Sequence, residues 1–390
     1  MPYAMAIEQA NTEDQSMAEP TASQENARYN EVAIKVAEEL HAARTAIGQQ
    51  TDASTRSLDQ RFGATNRAGV GVALEYERMG NAPVSEQLLA SADAAGVEFE
   101  HLGTTLGTVL HNIDLRGDLS PELAGLIRTT LLERKVIFFR DQSLSEGEQV
   151  VFARRFGDLD AFPFGKAGDN PYILEIHHDE NRPGTENLWH TDVTWMERPS
   201  LGSVAQCVKA PPAGGDTLFS DSHACYLGLP SSLAERVEHL HGVNDYRVFI
   251  GSNEPVGLPE DLVNSIKADI PFGVTHPLVR THPETGKPAL YIHGGFLRHD
   301  SLFDSRTGEP VAKTESQEIV KLLLAQHSRP EYVCRFEWRE GSVAFWDNRA
   351  VQHYAASDYY PCERLLRRVT VSGDKPFYDP SAQPNRVMPG

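Results

Sequence analysis

A histidine and a carboxylate stand two residues apart, as His190 and Asp192, in the stretch Leu188-Trp189-His190-Thr191-Asp192-Val193-Thr194-Trp195. β-Branched and aromatic residues alternate there with polar ones, which predicts a strand edge. In a strand, residues i and i+2 share a face, so the imidazole and the carboxylate would be offered to a single point. One further histidine from elsewhere would complete the set of two histidines and one carboxylate that holds non-haem Fe(II) in oxygenases. A second HxD, His177-His178-Asp179, lies thirteen residues upstream. It leads into the polar, turn-like Glu180-Asn181-Arg182-Pro183-Gly184 and is set aside for want of strand character.

The chain offers 15 histidines for the missing ligand. His353 follows a strand and a tight turn in Trp346-Asp347-Asn348-Arg349-Ala350-Val351-Gln352-His353-Tyr354-Ala355. That position alone does not lift it above His223, His276, His282, His293 or His299. The next segment, Arg364-Leu365-Leu366-Arg367-Arg368-Val369-Thr370-Val371, alternates as a strand. Arg364, Leu366, Arg368 and Thr370 would share one face. Two arginines on an inner face are costly unless anions meet them. A guanidinium grips carboxylate or sulfonate bidentately, which suits a buried anion site. Four residues of strand separate the arginines by roughly 13 Å, so they would serve different anions.

Elements that could position these groups follow from pattern. Residues 1–24 are polar and expected to be disordered. Tyr29, Val32, Ala33, Val36, Leu40, Ala43 and Ile47 recur at helical spacing, predicting an amphipathic helix near 25–47. Residues 49–70 are polar again, and a second helix is expected from Ser85 to Ala94. We therefore divide the chain into an N-terminal extension (1–95), a main domain (96–380) and a tail (381–390). In the main domain, Ser120-Pro121 opens a helix and Ser145-x-x-Glu148 is a capping box. Further helices are expected at Ser232–Leu240 and Thr314–His327. Val136–Phe139 reads as a buried strand. Other short strands are expected at Leu218–Ser220, Tyr246–Phe249, Ala289–Ile292, Val333–Trp338, Val343–Trp346 and Leu365–Ser372. Many short strands with a few helices predict a mainly β (α+β) fold, a jelly roll decorated by helices. The Pro/Gly-punctuated stretch 250–277 is expected to be a long loop of the kind that serves as a lid.

The net charge of −19 argues against a general nucleic-acid or anionic-membrane binder. The four cysteines, Cys207, Cys225, Cys334 and Cys362, form no CxxC pair, which disfavours structural zinc and fits a reducing compartment. No basic n-region precedes an apolar run near Met1, and no apolar run approaches a membrane span. The expectation is a cytoplasmic homo-oligomer acting on a small, anionic molecule, without nucleic-acid or membrane partners.

Residues 100–379 resemble the taurine / 2,4-dichlorophenoxyacetate dioxygenases, which are Fe(II)- and 2-oxoglutarate-dependent oxygenases on a double-stranded β-helix. Seven motifs match in order: Arg140-Asp141-Gln142, Arg155-Phe156-Gly157, Trp189-His190-Thr191-Asp192-Val193-Thr194, Gly214-Gly215-Asp216-Thr217, Trp346-Asp347-Asn348-Arg349, Gln352-His353-Tyr354-Ala355 and Gly373-Asp374-Lys375-Pro376-Phe377. The resemblance implies that His190, Asp192 and His353 ligate iron. It implies that Thr217 and Arg364 hold the distal carboxylate of 2-oxoglutarate, and that Arg368 helps hold the substrate anion. The co-substrates would be 2-oxoglutarate and O2, with succinate and CO2 released.

A carboxylate at Asp192 argues for hydroxylation or desaturation over halogenation. Where the taurine enzyme has polar pocket residues, this chain has Phe162, Gly165 and Glu186. With Phe164, Val193 and the shared aromatic Phe296, these suggest a small to medium organic acid with an apolar or aromatic portion. A zinc or nickel jelly-roll hydrolase or isomerase is the rival enzyme class, disfavoured because it needs no Thr217/Arg364 anion site. A non-catalytic binding protein is disfavoured by the intact triad.

Overall fold

The computed structural model describes residues 69–161, 170–246 and 273–382, together with Lys35, Glu38 and Glu39. Those three single residues are helical and exposed, within the stretch where the 25–47 helix is expected. The rest of that stretch, residues 1–24, the pocket candidates Phe162 and Phe164, and the tail from 383 lie outside the described residues. The chain divides into two compact units, Met1–Ala64 and Thr65–Gly390. Everything below concerns the second.

The described residues form sixteen strands, which include every short strand expected in the main domain except the strand edge around His190 and the strand at Tyr246–Phe249, with shifts at their ends. In chain order they are β1 (Glu98–His101), β2 (Thr108–His111), β3 (Val136–Phe139), β4 (Leu159–Asp160), β5 (Leu174–His178), β6 (Gly202–Lys209), β7 (Thr217–Asp221) and β8 (Leu240–Asn244). Then come β9 (Val274–Pro277), β10 (Val279–Thr281), β11 (Pro288–Leu290), β12 (Phe303–Asp304), β13 (Val333–Phe336), β14 (Val343–Asp347), β15 (Val351–Ala355) and β16 (Arg364–Val371). The large sheet runs β1-β2-β3-β14-β6-β16-β4, with β5 also paired to β16. A smaller sheet, β13-β7-β15, faces it.

Alternation along the strands builds two cores from one sheet. Val136, Phe138, Ala205, Ala344 and Leu366 of the large sheet pack against Phe219, Cys334, Phe336 and Val351 of the smaller one. Ile137, Phe139, Phe345, Val369 and Val371 point the other way. They are covered by α2 (Glu86–Ala95), α3 (Pro121–Arg134) and α4 (Glu146–Arg154). The result is the jelly-roll sandwich that the pattern predicts, with helices on the outer face of the large sheet.

Helix starts agree with their capping chemistry. Ser85 and Ser120 accept the N–H groups of Leu88 and Leu123, and the Ser145/Glu148 capping box forms in both directions. Helix α6 (Ser231–Val237) stops short of Leu240, which instead opens β8. Helix α7 (Lys313–His327) begins one residue before the expected Thr314.

Several expectations need correction. Of the strand expected at Tyr246–Phe249, residues 247–249 lie outside the described residues, and the chain just before it pairs as β8. Residues 250–272 of the expected lid also lie outside them, and its last residues form β9, paired with β8. The polar region 49–70 gives way to an unforeseen helix, α1 (Val70–Arg78). It packs on α5 (Ser222–Leu227) and brings Glu75 into full burial. Helical pattern was hard to see there because a charged residue occupies the inward position. Val84, Leu88 and Ala92 join the outer core as well, so residues 70–95 pack on the main domain.

Candidate metal and co-substrate site

His190 and His353 are brought side by side by the backbone. Each donates its N–H to the other's carbonyl, at 3.0 and 2.8 Å, in an isolated antiparallel bridge. Their rings lie 4.0 Å apart between centroids. Beyond the bridge the expected strand does not form. Residues 192–195 make a turn, closed by the Met196 N–H on the Val193 carbonyl, with Val193 at φ +50°.

The reason lies in Asn348, 156 residues away from Asp192. Its Oδ1 accepts the Asp192 N–H at 2.7 Å and the Thr191 hydroxyl at 2.8 Å. Its Nδ2 donates to the Asp192 carbonyl at 3.0 Å and to Ser200 Oγ at 3.1 Å. A side-chain amide thus takes the hydrogen bonds that a neighbouring strand would have supplied. His190 and Asp192 converge through a clamped turn, not through strand parity.

The upstream HxD leads, as expected, into a segment at 180–184 that forms no strand, while His177 and His178 themselves end β5. Neither joins the triad: His177 pairs with Glu363 and His178 with Tyr359. The rival third ligands are also engaged elsewhere. His223 meets Glu75, His276 the Met196 carbonyl, His282 Asp347 and His299 the Gly294 carbonyl. His293 lies beside His190, but its Nδ1 accepts the Gly295 and Phe296 N–H groups. Among the described residues, His190, Asp192 and His353 form the metal-capable group, with ligand atoms within 4.8 Å of one another.

The donor set suits a divalent cation. His190 Nδ1 donates to the Leu188 carbonyl at 2.7 Å, which leaves Nε2 with its lone pair. Burial, then the neighbouring His190, pushes His353 well below the ordinary histidine range, so the ring is neutral, the form that binds metal. Burial would raise Asp192. The Arg368 guanidinium, then His353 and His190, overcome it and hold the carboxyl well below the usual range. Arg368 Nη1 donates to Asp192 Oδ1 at 2.9 Å.

Arg364, Leu366 and Arg368 share the inner face of β16 as expected: Leu366 is in the inter-sheet core and both arginines are buried. Arg364 is 2% exposed. Its Nη2 donates to Thr217 Oγ1 at 3.4 Å, and Trp338 Nε1 donates to the same oxygen at 2.9 Å. The guanidinium sits over the rings of Trp338 and Tyr359, at 6.0 and 5.6 Å from their centroids. Among the described residues no carboxylate pairs with it, and its Nε has no partner.

The remaining candidates divide. Phe296 is buried against His293, with ring centroids 4.0 Å apart, and Val193 is buried in the clamped turn. Glu186 is half-exposed, and its Oε1 lies 3.4 Å from His178 Nε2. Burial would raise its pKa, but the His178 contact and two backbone N–H groups bring it down to about 2. Sequence reasoning missed Asn348, Trp338, Tyr359 and His178 as site-building residues. The Trp-Asp-Asn-Arg motif carried a signal for Asn348. The other three become visible only once β5, β13 and β16 are assembled.

With this geometry in place, comparison with known proteins identifies the class. The family model "Taurine catabolism dioxygenase TauD, TfdA family" matches residues 98–370, and the chain belongs to that family. It is 33% identical over 298 residues to an alpha-ketoglutarate-dependent sulfate ester dioxygenase of Pseudomonas putida, covering 75% of this chain and 95% of that protein. It is 32% identical over 282 residues to an alkylsulfatase of Acinetobacter baylyi, covering 71% and 86%. A taurine dioxygenase structure from Burkholderia xenovorans superposes with a TM-score of 0.60 at 32% identity, over 75% of this chain and 97% of that one. The protein is a 2-oxoglutarate-dependent dioxygenase, an enzyme that uses Fe(II), 2-oxoglutarate and O2. Among the described residues no helix is long and apolar enough to cross a membrane.

Proposed function

We propose that the enzyme oxidises an organic anion with an apolar portion, converting 2-oxoglutarate to succinate and CO2 in the same cycle. In this reading His190, Asp192 and His353 hold Fe(II), which when bound supplies the oxidising chemistry with O2. Thr217 and Arg364 hold the distal carboxylate of 2-oxoglutarate. Arg368, tied to Asp192 on the metal side of the same strand, meets the anionic group of the substrate. Phe296 and Val193 line its apolar body, and Phe162 and Phe164 are assigned to the same wall. Glu186 is reassigned from substrate contact to the support of His178. Sulfate esters and sulfonates are the anions in the names of several relatives, so alkyl sulfates are the first substrates to test, ahead of carboxylic acids.

The observation that carries this reading is Arg364, a buried guanidinium with no carboxylate partner among the described residues. A buried cation is costly unless an anion meets it. Its described neighbours, Thr217, Trp338 and Tyr359, are all uncharged, so a carboxylate arriving from solution would meet an unmatched charge. Arg364→Ala should cost the co-substrate on the order of 2–5 kcal/mol, a fall in 2-oxoglutarate affinity of roughly 30-fold or more. Calorimetry on the Mn(II)-loaded protein reads this without turnover. An unchanged affinity removes Arg364 from the site. Succinate release across a series of alkyl sulfates, sulfonates and carboxylates tests the substrate class, and taurine outperforming every apolar-tailed anion would overturn it.

A further inference from the structure

The set-aside histidine, His178, occupies a position that neither the metal nor the substrate explains. It is 2% exposed and lies on β5, where its backbone pairs with that of Arg364 on β16. Its two ring nitrogens face two different groups. Nε2 lies 3.4 Å from Glu186 Oε1, and Nδ1 lies 2.8 Å from the Tyr359 hydroxyl. A carboxylate on the Nε2 side requires the ring proton there, so Nδ1 is the acceptor and the Tyr359 hydroxyl donates to it. The hydroxyl is thus held by His178, and the face of the same Tyr359 ring packs against the Arg364 guanidinium, whose Cζ lies 5.6 Å from the ring centroid.

The groups therefore form one series: the Arg364 guanidinium against the Tyr359 ring, the Tyr359 hydroxyl to His178, and His178 to Glu186. A cation stands at one end and a carboxylate at the other, with the Tyr359 and His178 hydrogens pointing toward the negative end. Hydrogen bonds aligned in this way polarise one another in a low-dielectric interior. The surrounding chain is shaped to leave Tyr359 in place. A Cβ at Gly184 would lie 2.8 Å from the Tyr359 hydroxyl, and one at Gly215, φ +71°, would lie 3.1 Å from Tyr359 Cδ1 and 3.2 Å from Arg364 Cδ. Both glycines admit the ring close against backbone.

We infer that Glu186, His178 and Tyr359 are positioning residues for the co-substrate, fixing the Arg364 guanidinium so that its remaining N–H groups face the incoming carboxylate. Glu186 also supplies a remote counter-charge for the buried arginine. This inference rests on the reading that Arg364 binds 2-oxoglutarate. Since Glu186 stands four residues before His190, the series joins the co-substrate anchor to the segment that leads into the metal turn.

The test measures Mn(II) affinity and 2-oxoglutarate affinity separately, by calorimetry, on the full-length protein. Tyr359→Phe removes one oxygen and keeps the ring. It frees the ring from His178 and should weaken 2-oxoglutarate about fivefold, the scale of one ordinary hydrogen bond, and leave Mn(II) affinity unchanged. His178→Leu should do the same, and Glu186→Gln should act in the same direction by about threefold. His178→Asn keeps an acceptor near the Nδ1 position and should recover most of the loss, which a purely structural role would not produce. Arg364→Ala serves as the control. If Arg364→Ala weakens 2-oxoglutarate while Tyr359→Phe does not, the positioning series is wrong and the co-substrate site stands. If Arg364→Ala has no effect, the site assignment itself falls. Should His178→Leu fail to fold, Tyr359→Phe decides the matter alone, and equal losses of metal and co-substrate in that variant would overturn the inference.

Discussion

At the residue scale, the single amide of Asn348 closes the turn that aims Asp192. Residues that orient a ligand typically change metal affinity by about 10–100-fold when lost. Asn348→Ala should therefore weaken Mn(II) binding within that range while the fold persists, read by calorimetry. His190→Ala or His353→Ala should abolish the weak visible charge-transfer band of the anaerobic Fe(II)–2-oxoglutarate protein. If His177→Ala abolished it instead, the upstream HxD would be the true ligand pair. The residue types were legible in the sequence: two HxD pairs, a later histidine and two arginines on one strand face. What was not legible was how Asp192 is aimed, because that depends on an amide 156 positions away and on a positive φ at Val193. Alternation of residue types around His190 resembled a strand, and the tertiary hydrogen bonds of Asn348 overrode it.

At the scale of elements, helix α1 carries a carboxylate into a buried cluster of charges. Glu75, fully buried, meets Lys287 at 2.6 Å, His223 at 3.0 Å and Lys135 at 3.4 Å, and Lys135 also meets Asp221 at 2.8 Å. Burial would raise the Glu75 pKa, but His223, Lys135 and Lys287 hold it well below the ordinary value. Removing one member of a buried ion group leaves the others uncompensated, at about 3–5 kcal/mol. Glu75→Ala should lower stability by that amount, measured by denaturant unfolding. Deletion of residues 1–68 should be tolerated much better than deletion through residue 80, and equal stability of the two truncations would contradict the role given to α1. Capping serines, the Ser145/Glu148 box and the buried run Val136–Phe139 announced their elements because their signals are local. Helix α1 did not, since its inward carboxylate is balanced by lysines and a histidine from three distant segments.

For the whole molecule, buried neutral histidines set an acid limit. Burial pushes His276 down to about 4 and His327 down to about 3, with both rings inside the described core. An unfolded histidine takes up its proton near pH 6.5. Below that pH the unfolded chain binds protons that the folded chain does not, so stability falls with pH. This loss should begin near pH 6.5 and continue to about pH 4, with Glu75 adding its share in the carboxylate range below about pH 4.5. Denaturant midpoints that stay flat from pH 7.5 to 5 would count against it. A different consequence comes from β16, which carries both arginines on one rigid strand, with Arg368 bonded to Asp192. If the substrate's charge is anchored at Arg368, every substrate is measured from the same origin, and the strand acts as a ruler. Lengthening the apolar tail should change affinity but not the address of attack. In a homologous series of anions, the oxidised carbon should keep the same count from the charged group, and product analysis by mass spectrometry would show whether that count holds.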